Sequence, residues 1–472
     1  MNIRGISYYL GLSCYPVAFL SFFNILYSSY SDHYLNFNSY LITLVISLLS
    51  SLIFYYFAKN ADRNIRFYDQ LILIFLVYLF VSLLISIPYN FSYYHISFIN
   101  SYFEAISGLT TTGFTIFENV KFLDPTLIIW RSSSHWIGGF FFLIFLILIF
   151  SNFKSQYKLT NLAYNPDQAK NLFKDTGEIT IKVFFLYIFL TGLIFILFSF
   201  SGIRLFNSFN LAMSVSSTGA FLPTDQLSEI VKSSSQKAIL TIGLTFTALN
   251  IFFFNSLFAD NNTFKKYYED ISIIFLAFFF SLILFFSIGE TTFFNIFSNV
   301  VSSLSSSGLT TYSPPENFYL IFIFLTIIGG SVISNSSGIK FLRIYILFKS
   351  SVIEIFRLVS PNIVIDQRIL RTEKKINNEN LNSSFLIFIC FFISIFLLSS
   401  ILTAGGLNFE NSFKLSILTI TNTSNSSLYG LEKIDFSNLL ISSKLSVILF
   451  MVIGKIELIS LFLIIKKALS RN

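Results

Sequence analysis

The chain reads as an all-α polytopic membrane protein in which four pseudo-symmetric helix, pore loop, helix repeats surround one pore, with an extra helix pair at the N-terminus. Three observations carry that expectation. Of 472 residues, 54% are hydrophobic and 12% charged, where ordinary soluble domains carry about 25% charged residues, and the mean hydropathy is +0.72. Apolar runs long enough to cross about 30 Å of hydrocarbon recur along the chain. Between pairs of those runs a polar patch returns: SGLTTTGF at 107–114, SVSSTGAF at 214–221, SLSSSGLT at 303–310 and, altered, TITNTSNS at 419–426.

Composition also argues against other classes. Sixty-two Phe with abundant Ile, Asn, Tyr and Ser point to an AT-rich genome, so an individual Phe carries little functional information. The net charge of +7 is not gathered into a basic stripe apart from the spans; loop topology explains it, and nucleic acid is not expected as a partner. Both cysteines, Cys14 and Cys390, sit in apolar runs, where neither a disulfide framework nor a metal site follows from them. Arg4 precedes an apolar run as in a signal peptide, but the run continues to about Tyr27 without a small-residue cleavage site, which predicts a retained helix.

Spans are expected near 6–28, 38–58, 68–88, 127–150, 179–201, 237–259, 271–289, 317–348, 383–403 and 438–467. The first two enclose no patch. Each later pair encloses a shorter apolar segment and then a patch, which reads as a re-entrant pore helix followed by a filter. Such segments are too short to span, and irregular backbone is tolerated at membrane depth only where it lines a wet cavity. The expected units are a helix pair at 1–65 and pore repeats at 66–165, 166–262, 263–375 and 376–472. Two polar connections stand out, 151–178 and 349–382. The second contains RTEKKINNEN at 371–380 and reads as a solvated loop or helix extension, with a face for a cytosolic partner as the alternative.

Lys and Arg set the orientation. Of the 31, twenty-two (Lys340 and Arg343 among them) fall on the side of the connections between repeats, eight (including Arg131) on the filter side, and Lys455 within the last span. Both termini are therefore expected in the cytoplasm, with the filters opening outward across the cytoplasmic (bacterial inner) membrane.

A dehydrated monovalent cation must exchange its water shell for several oxygens at once, and inward-pointing backbone carbonyls supply them without fixed charge. Gly adopts backbone angles that other residues resist, Ser and Thr add hydroxyls, and a preceding pore helix aims its C-terminal partial negative charge at the cavity. Thr111, Thr112 and Gly113, Ser217, Thr218 and Gly219, and Ser306, Ser307 and Gly308 are candidate filter backbone on this ground. Turns alone would explain one Ser/Thr-Gly run; four in register between paired spans favour a filter. No patch holds an acid in its core, and Glu104, Glu118 and Glu316 read as helix-end or vestibule groups flanking them.

A second constellation is the interruption Gly329, Gly330, Ser331, Ser334, Asn335, Ser336, Ser337 and Gly338, inside more than thirty apolar residues, too long for one straight crossing. Gly costs about 1 kcal/mol against Ala in a helix interior, and Ser and Asn compete for backbone hydrogen bonds. The helix should break there, as a loop or as a packed polar hinge. Lys455 is the third feature: a cation within a span costs about 2.5–3.5 kcal/mol on insertion scales and faces a cavity or a partner. Glu457, about 200° further round the helix, cannot share its face and is expected to pair with another helix.

SYFEAISGLTTTGFTIF at 101–117 and WRSSSHWIGG at 130–139 resemble the first repeat of the Trk-type potassium-uptake proteins of the Trk/Ktr/HKT superfamily. The similarity continues through AMSVSSTGAF at 212–221, GGSVISNSSGIKFLR at 329–343 and GKIELISLFLI at 454–464. The resemblance implies a pore-forming subunit without covalent cofactor that moves K+, assembled as a homodimer on cytosolic nucleotide-binding subunits. It also implies that 329–338 is a gate loop under the filter. Lys455 stands where the family carries an arginine, an electrostatic barrier in the ion path; the charge is kept and the planar fork is not. Asn422, Thr423 and Ser424 match the fourth filter, with Ser424 where Gly is expected. In plant relatives Ser at one filter Gly accompanies a sodium preference, so Na+ is the alternative cargo. His135, where the family more often has Gln, reads as a packing or interfacial residue at a helix start. A multi-span enzyme or a scaffold is the rival from another class; His33, His95 and His135 are isolated and have no companion acid motif.

Overall fold

A computed structural model describes residues 2–59, 61, 65–151, 176–253, 267–289, 291–360, 366–370, 375–431 and 434–456. The N-terminal pair is α1 (Ile3–Tyr30) and α2 (Phe37–Phe57). Asn2 starts α1, its Oδ1 accepting from the Gly5 N–H at 3.0 Å, one of the donors a helix N-terminus leaves open. Then come α3 (Phe67–Asn90), α4 (Phe98–Leu109) and α5 (Pro125–Ser151), and α6 (Thr176–Phe200), α7 (Leu205–Ser216) and α8 (Ser234–Ala248). The next set is α9 (Tyr268–Ile288), α10 (Phe293–Leu304), α11 (Tyr319–Ile328) and α12 (Phe341–Val359). The last is α13 (Asn378–Ala404), α14 (Phe409–Ile420) and α15 (Ile441–Ile456).

Among the described residues seven helices, α1, α2, α3, α5, α6, α9 and α13, are long and apolar enough to cross a membrane. Large apolar side chains such as Leu52 and Tyr56 on α2, Phe275 and Phe286 on α9 and Phe396 and Leu397 on α13 are exposed. Burial in a protein core does not explain those faces; hydrocarbon does.

The four short helices α4, α7, α10 and α14 have 12 residues each. Each packs on the closing helix of the repeat before it: α7 on α5, α10 on α8 and α14 on α11, while α4 packs on α15 and closes the ring. Glycine permits the tightest of these approaches. A side chain at Gly138 of α5 would collide with the Leu109 carbonyl at the end of α4, and one at Gly454 of α15 with the Ile420 carbonyl at the end of α14.

The run 317–348 is two helices, α11 and α12, joined by a loop, so the polar interruption breaks the helix as expected. The expected span 237–259 is interrupted instead at Leu249 and Asn250, with helical backbone resuming at 251–253. There the Asn250 N–H goes to Asp270 Oδ1 (2.7 Å) and the Ile251 N–H to the Ile333 carbonyl (3.2 Å), so backbone that would have continued α8 holds the 329–340 loop. The connection 152–175, Glu457 and the last part of the span at 438–467 lie outside the described residues.

The N-terminal pair is latched to the first repeat by buried polar groups. Asn36 Nδ2 donates to Asp124 Oδ2 (2.8 Å), which also accepts from Thr126 Oγ1 (2.7 Å). The Tyr40 hydroxyl donates to Thr126 Oγ1 (3.1 Å), and Asn36 Oδ1 accepts from the Tyr93 N–H (3.1 Å). Asp124→Ala leaves buried donors unmet and is expected to cost about 1–3 kcal/mol, read as a lowered thermal midpoint in detergent; an unchanged midpoint would remove the latch.

Candidate cation pathway

Each short helix ends in the same way. The residue after its cap turns left-handed: Thr111 (φ 58°), Thr218 (57°), Ser306 (54°) and Asn422 (47°). The next residue then bonds back five positions, Thr112 N–H to Ser107 O (3.0 Å), Gly219 N–H to Ser214 O (2.8 Å), Ser307 N–H to Ser302 O (3.1 Å) and Thr423 N–H to Leu418 O (2.9 Å). A β-branched residue at positive φ is an outlier in most settings, and here one stands at the same position in two repeats.

This backbone register corrects the second patch by one residue. Thr218, Gly219 and Ala220 align with Thr111, Thr112 and Gly113, and Ser217 aligns with the helix cap Thr110. The glycine level therefore reads Gly113, Ala220, Gly308, Ser424, with two glycines rather than three. Those residues face each other. A Cβ at Gly113 would lie 3.0 Å from Ala220 Cβ and 3.2 Å from Ser424 Cβ, and one at Gly308 would strike Ser424 Oγ. Gly113 (φ 85°) and Gly308 (φ 71°) also hold positive φ, so both reasons for glycine coincide there. The Ser424 hydroxyl donates to the Ser307 carbonyl (2.9 Å) and occupies one lone pair of a ring carbonyl.

Behind the ring, hydroxyls join Thr110 to Thr112 (2.8 Å), Ser305 to Ser307 (3.3 Å) and Thr421 to Thr423 (2.9 Å). Gly219 has no hydroxyl, and the His135 ring fills its place: a Cβ at Gly219 would lie 2.7 Å from His135 Cδ2. His135 lies within α5, not at its start, donates from Nδ1 to the Gly108 carbonyl (2.8 Å) and packs on Phe221. Asn422 Nδ2 reaches Thr112 Oγ1 (3.0 Å) and the Met451 carbonyl (2.9 Å), tying the fourth candidate segment to the first.

Glu104 and Arg131, read from sequence as a flanking group and an outer-face cation, are both buried and paired. Arg131 Nε donates to Glu104 Oε1 (2.9 Å) and Nη2 to Thr115 Oγ1 (2.9 Å), and the guanidinium lies 4.2 Å from the Phe221 ring centroid. Glu104 Oε2 accepts from the Ile116 N–H (2.9 Å). One ion pair thus braces the chain leaving the first filter segment against the chain leaving the second. The side chains are 27 residues apart, beyond any helical periodicity, and no local sequence signal marks them.

Past the glycine level the ring opens into a cavity of about 760 Å³ whose lining includes Glu118, Asp225 and Asp435. Glu316 is not among its lining residues. Ser437 Oγ, donating to Asp435 Oδ1 at 2.6 Å, holds the Asp435 carboxyl below the usual aspartate range. Negative lining concentrates cations at such a mouth.

On the other side of the ring lies the loop 329–340. The Ser337 N–H donates to Ser306 Oγ (2.7 Å), Thr218 Oγ1 to the Asn335 carbonyl (3.2 Å) and Asn335 Nδ2 to the Ser216 carbonyl (2.8 Å). Lys455, 1% exposed, donates to Thr111 Oγ1 (2.8 Å) and reaches the Asn335 carbonyl and Ser337 Oγ, both at 3.4 Å. Residues from the second, third and fourth repeats thus meet at Asn335 to Ser337, and Lys455 links them to Thr111 of the first. The loop is held from behind as well, by Ser331 N–H to the Ala248 carbonyl (2.9 Å), Val332 N–H to Glu269 Oε1 (3.0 Å) and Gly330 N–H to Ser336 Oγ (3.0 Å). Lys340, counted from sequence among the loop cations, is buried inside this loop.

Arg131→Met should cost about 3–5 kcal/mol by stranding the Glu104 carboxylate, and adding Glu104→Met should recover most of it. Thermal unfolding in detergent reads both, and equal loss in single and double variants would show that the two groups act separately.

No protein-family model matches the chain. It is 27% identical over 390 residues to an uncharacterized cation transporter of Methanocaldococcus jannaschii, covering 79% of this chain and 78% of that protein. It is 23% identical over 427 residues to the Trk system potassium uptake protein TrkG of Escherichia coli K12, covering 86% of each. The solved structure of the potassium transporter TrkH from Vibrio parahaemolyticus matches with a TM-score of 0.84 at 20% identity over 100% of both chains. The chain is thus similar in sequence, over most of its length, to cation and potassium transport proteins, and over its whole length it shares the fold of the solved potassium transporter.

Proposed function

We propose that the protein takes up K+ across the cytoplasmic membrane through the ring at Thr111–Gly113, Thr218–Ala220, Ser306–Gly308 and Asn422–Ser424. The observation that carries this reading is the left-handed turn repeated at Thr111, Thr218, Ser306 and Asn422. Four turns of one kind, on short helices packed in a ring, support a reading in which four short backbone segments line one axis, where carbonyls would replace a cation's water shell. The relatives' names add potassium uptake and cation transport. Cations would gather at the acidic cavity, shed water in the ring and leave past the 329–338 loop. Lys455 would set the electrostatic barrier, since its ammonium lies within hydrogen-bond reach of both Thr111 and the loop. The reading includes cytoplasmic termini, a homodimer and a cytosolic nucleotide-binding regulatory subunit, all by analogy with the family, and assigns the chain no catalysed chemistry.

A second reading, a sodium-selective or weakly selective pore, is favoured by one observation. Ala220 and Ser424 put side chains at the glycine level, and the Ser424 hydroxyl already engages the Ser307 carbonyl. A narrower ring with one carbonyl partly engaged suits a smaller ion.

Two liposome measurements test these readings. Gly308→Val, at a position without room for a Cβ, should reduce Rb+ flux to that of empty liposomes in folded protein; wild-type flux would overturn the ring. Wild type should carry K+ in preference to Na+, and Ser424→Gly should widen that preference. A sodium preference in the wild type, lost on Ser424→Gly, would establish the second reading instead.

A further inference from the structure

The loop at 329–340 is wrapped round a cation of its own. Lys340 is 2% exposed. Its Nζ lies 3.1 Å from the Ser331 carbonyl and 3.3 Å from the Ser334 carbonyl, and it also donates to the Ser336 carbonyl. The Ser334 and Ser336 hydroxyls are each 3.3 Å away. Three backbone carbonyls and two hydroxyls round one positive centre are the donor set that a dehydrated monovalent cation requires. Three inward-pointing carbonyl dipoles repel one another unless a positive charge sits among them.

Two further features fit this arrangement. Lys340 holds φ 80°, a conformation that a non-glycine residue keeps only where its surroundings enforce it. The oxygens it gathers also belong to the part of the loop that meets the ring: Ser334 and Ser336 flank Asn335, whose carbonyl takes the Thr218 hydroxyl, and Ser337 follows, bonded to Ser306. Lys455 reaches the same segment at 3.4 Å, while Lys340 sits at hydrogen-bond distances within it. The Phe142 ring neighbours both ammoniums, its centroid 4.3 Å from Lys455 Nζ and 5.6 Å from Lys340 Nζ.

We infer that Lys340 is a tethered cation that folds the 331–336 segment into the carbonyl cradle holding Asn335 and Ser337 beneath the ring, and so positions the gate. Lys455 bars the ion path; Lys340 keeps the loop in shape. The inference rests on the uptake reading for its role in conduction, whereas the cradle itself can be tested apart from any flux.

The test uses the full chain with Cys14 and Cys390 changed to Ser and a reporter thiol introduced as Ser337→Cys. Lys340→Met keeps the length of the side chain and removes its charge. It should raise the rate of thiol modification by a water-soluble methanethiosulfonate about tenfold, as expected on losing charge-assisted hydrogen bonds, and should raise Rb+ flux in liposomes. A thiol rate equal to that of the parent would overturn the tether, because packing alone would survive this substitution. If Lys340→Met does not fold, Ser334→Ala with Ser336→Ala removes two of the five oxygens and should give a smaller rise; an unchanged rate there also overturns it. Absence of monovalent flux in every variant would sink the uptake reading, while the thiol rates would still decide the cradle.

Discussion

The pore depends on stopping a helix at membrane depth. A re-entrant helix of 12 residues leaves its last carbonyls without helical partners where no lipid can serve them. Each repeat meets this constraint with one left-handed residue and one amide that bonds back five positions. Thr111, Thr218 and Ser306 are held at a φ their side chains resist, whereas Asn422 takes it readily, and the ring of repeats packed each on the last supplies the force. The strain and the proposed site share a location: the turn that closes each helix falls within the segment proposed as the cation ring.

Intramembrane charge is handled in three distinct ways. Arg131 and Glu104 neutralise each other and brace two filter segments from behind. Lys455 takes a filter hydroxyl and loop oxygens, at the junction of ring and loop. Lys340 is enclosed by the backbone of its own loop. A charge in a span is costly unless polar groups meet it, and in each case those polar groups belong to parts of the chain that conduction would require to stay put or to move.

Much of this was legible in the sequence because hydropathy and glycine leave strong local marks. The spans, the four re-entrant segments and the helix break at Gly329 follow from apolar run length and from Gly and Ser placement. The register of the second patch did not, because Ser217-Thr218-Gly219 looks like Thr111-Thr112-Gly113 by composition while the backbone is counted from the helix end. Gly219 is small to admit His135, a packing reason indistinguishable in sequence from a conformational one. Lys340 was hidden for a different reason. Loop lysines are assigned to water by charge counting, and only the folded loop shows its carbonyls turned inward. Glu104 and Arg131 each look like a flanking charge until tertiary packing joins them.

The alternation at the glycine level bears on what such a ring can select. Gly113 and Gly308 belong to the first and third repeats, Ala220 and Ser424 to the second and fourth, and a Cβ on Gly113 would touch both intervening residues. The ring is therefore narrowed by two of its four members, whose Cβ atoms lean toward the gaps left by the two glycines. Replacing either glycine would place a side chain where a neighbouring one already stands, whereas replacing Ala220 or Ser424 by glycine would only widen the ring. Glycine is thus required at two positions by contact as well as by φ, and the remaining two are free to tune aperture. Ser424 tunes further through its bond to the Ser307 carbonyl, which couples the fourth segment to the third at the level where an ion would be stripped of water. On the uptake reading proposed above, the aperture at this level is set by Ala220 and Ser424 together rather than by any one glycine.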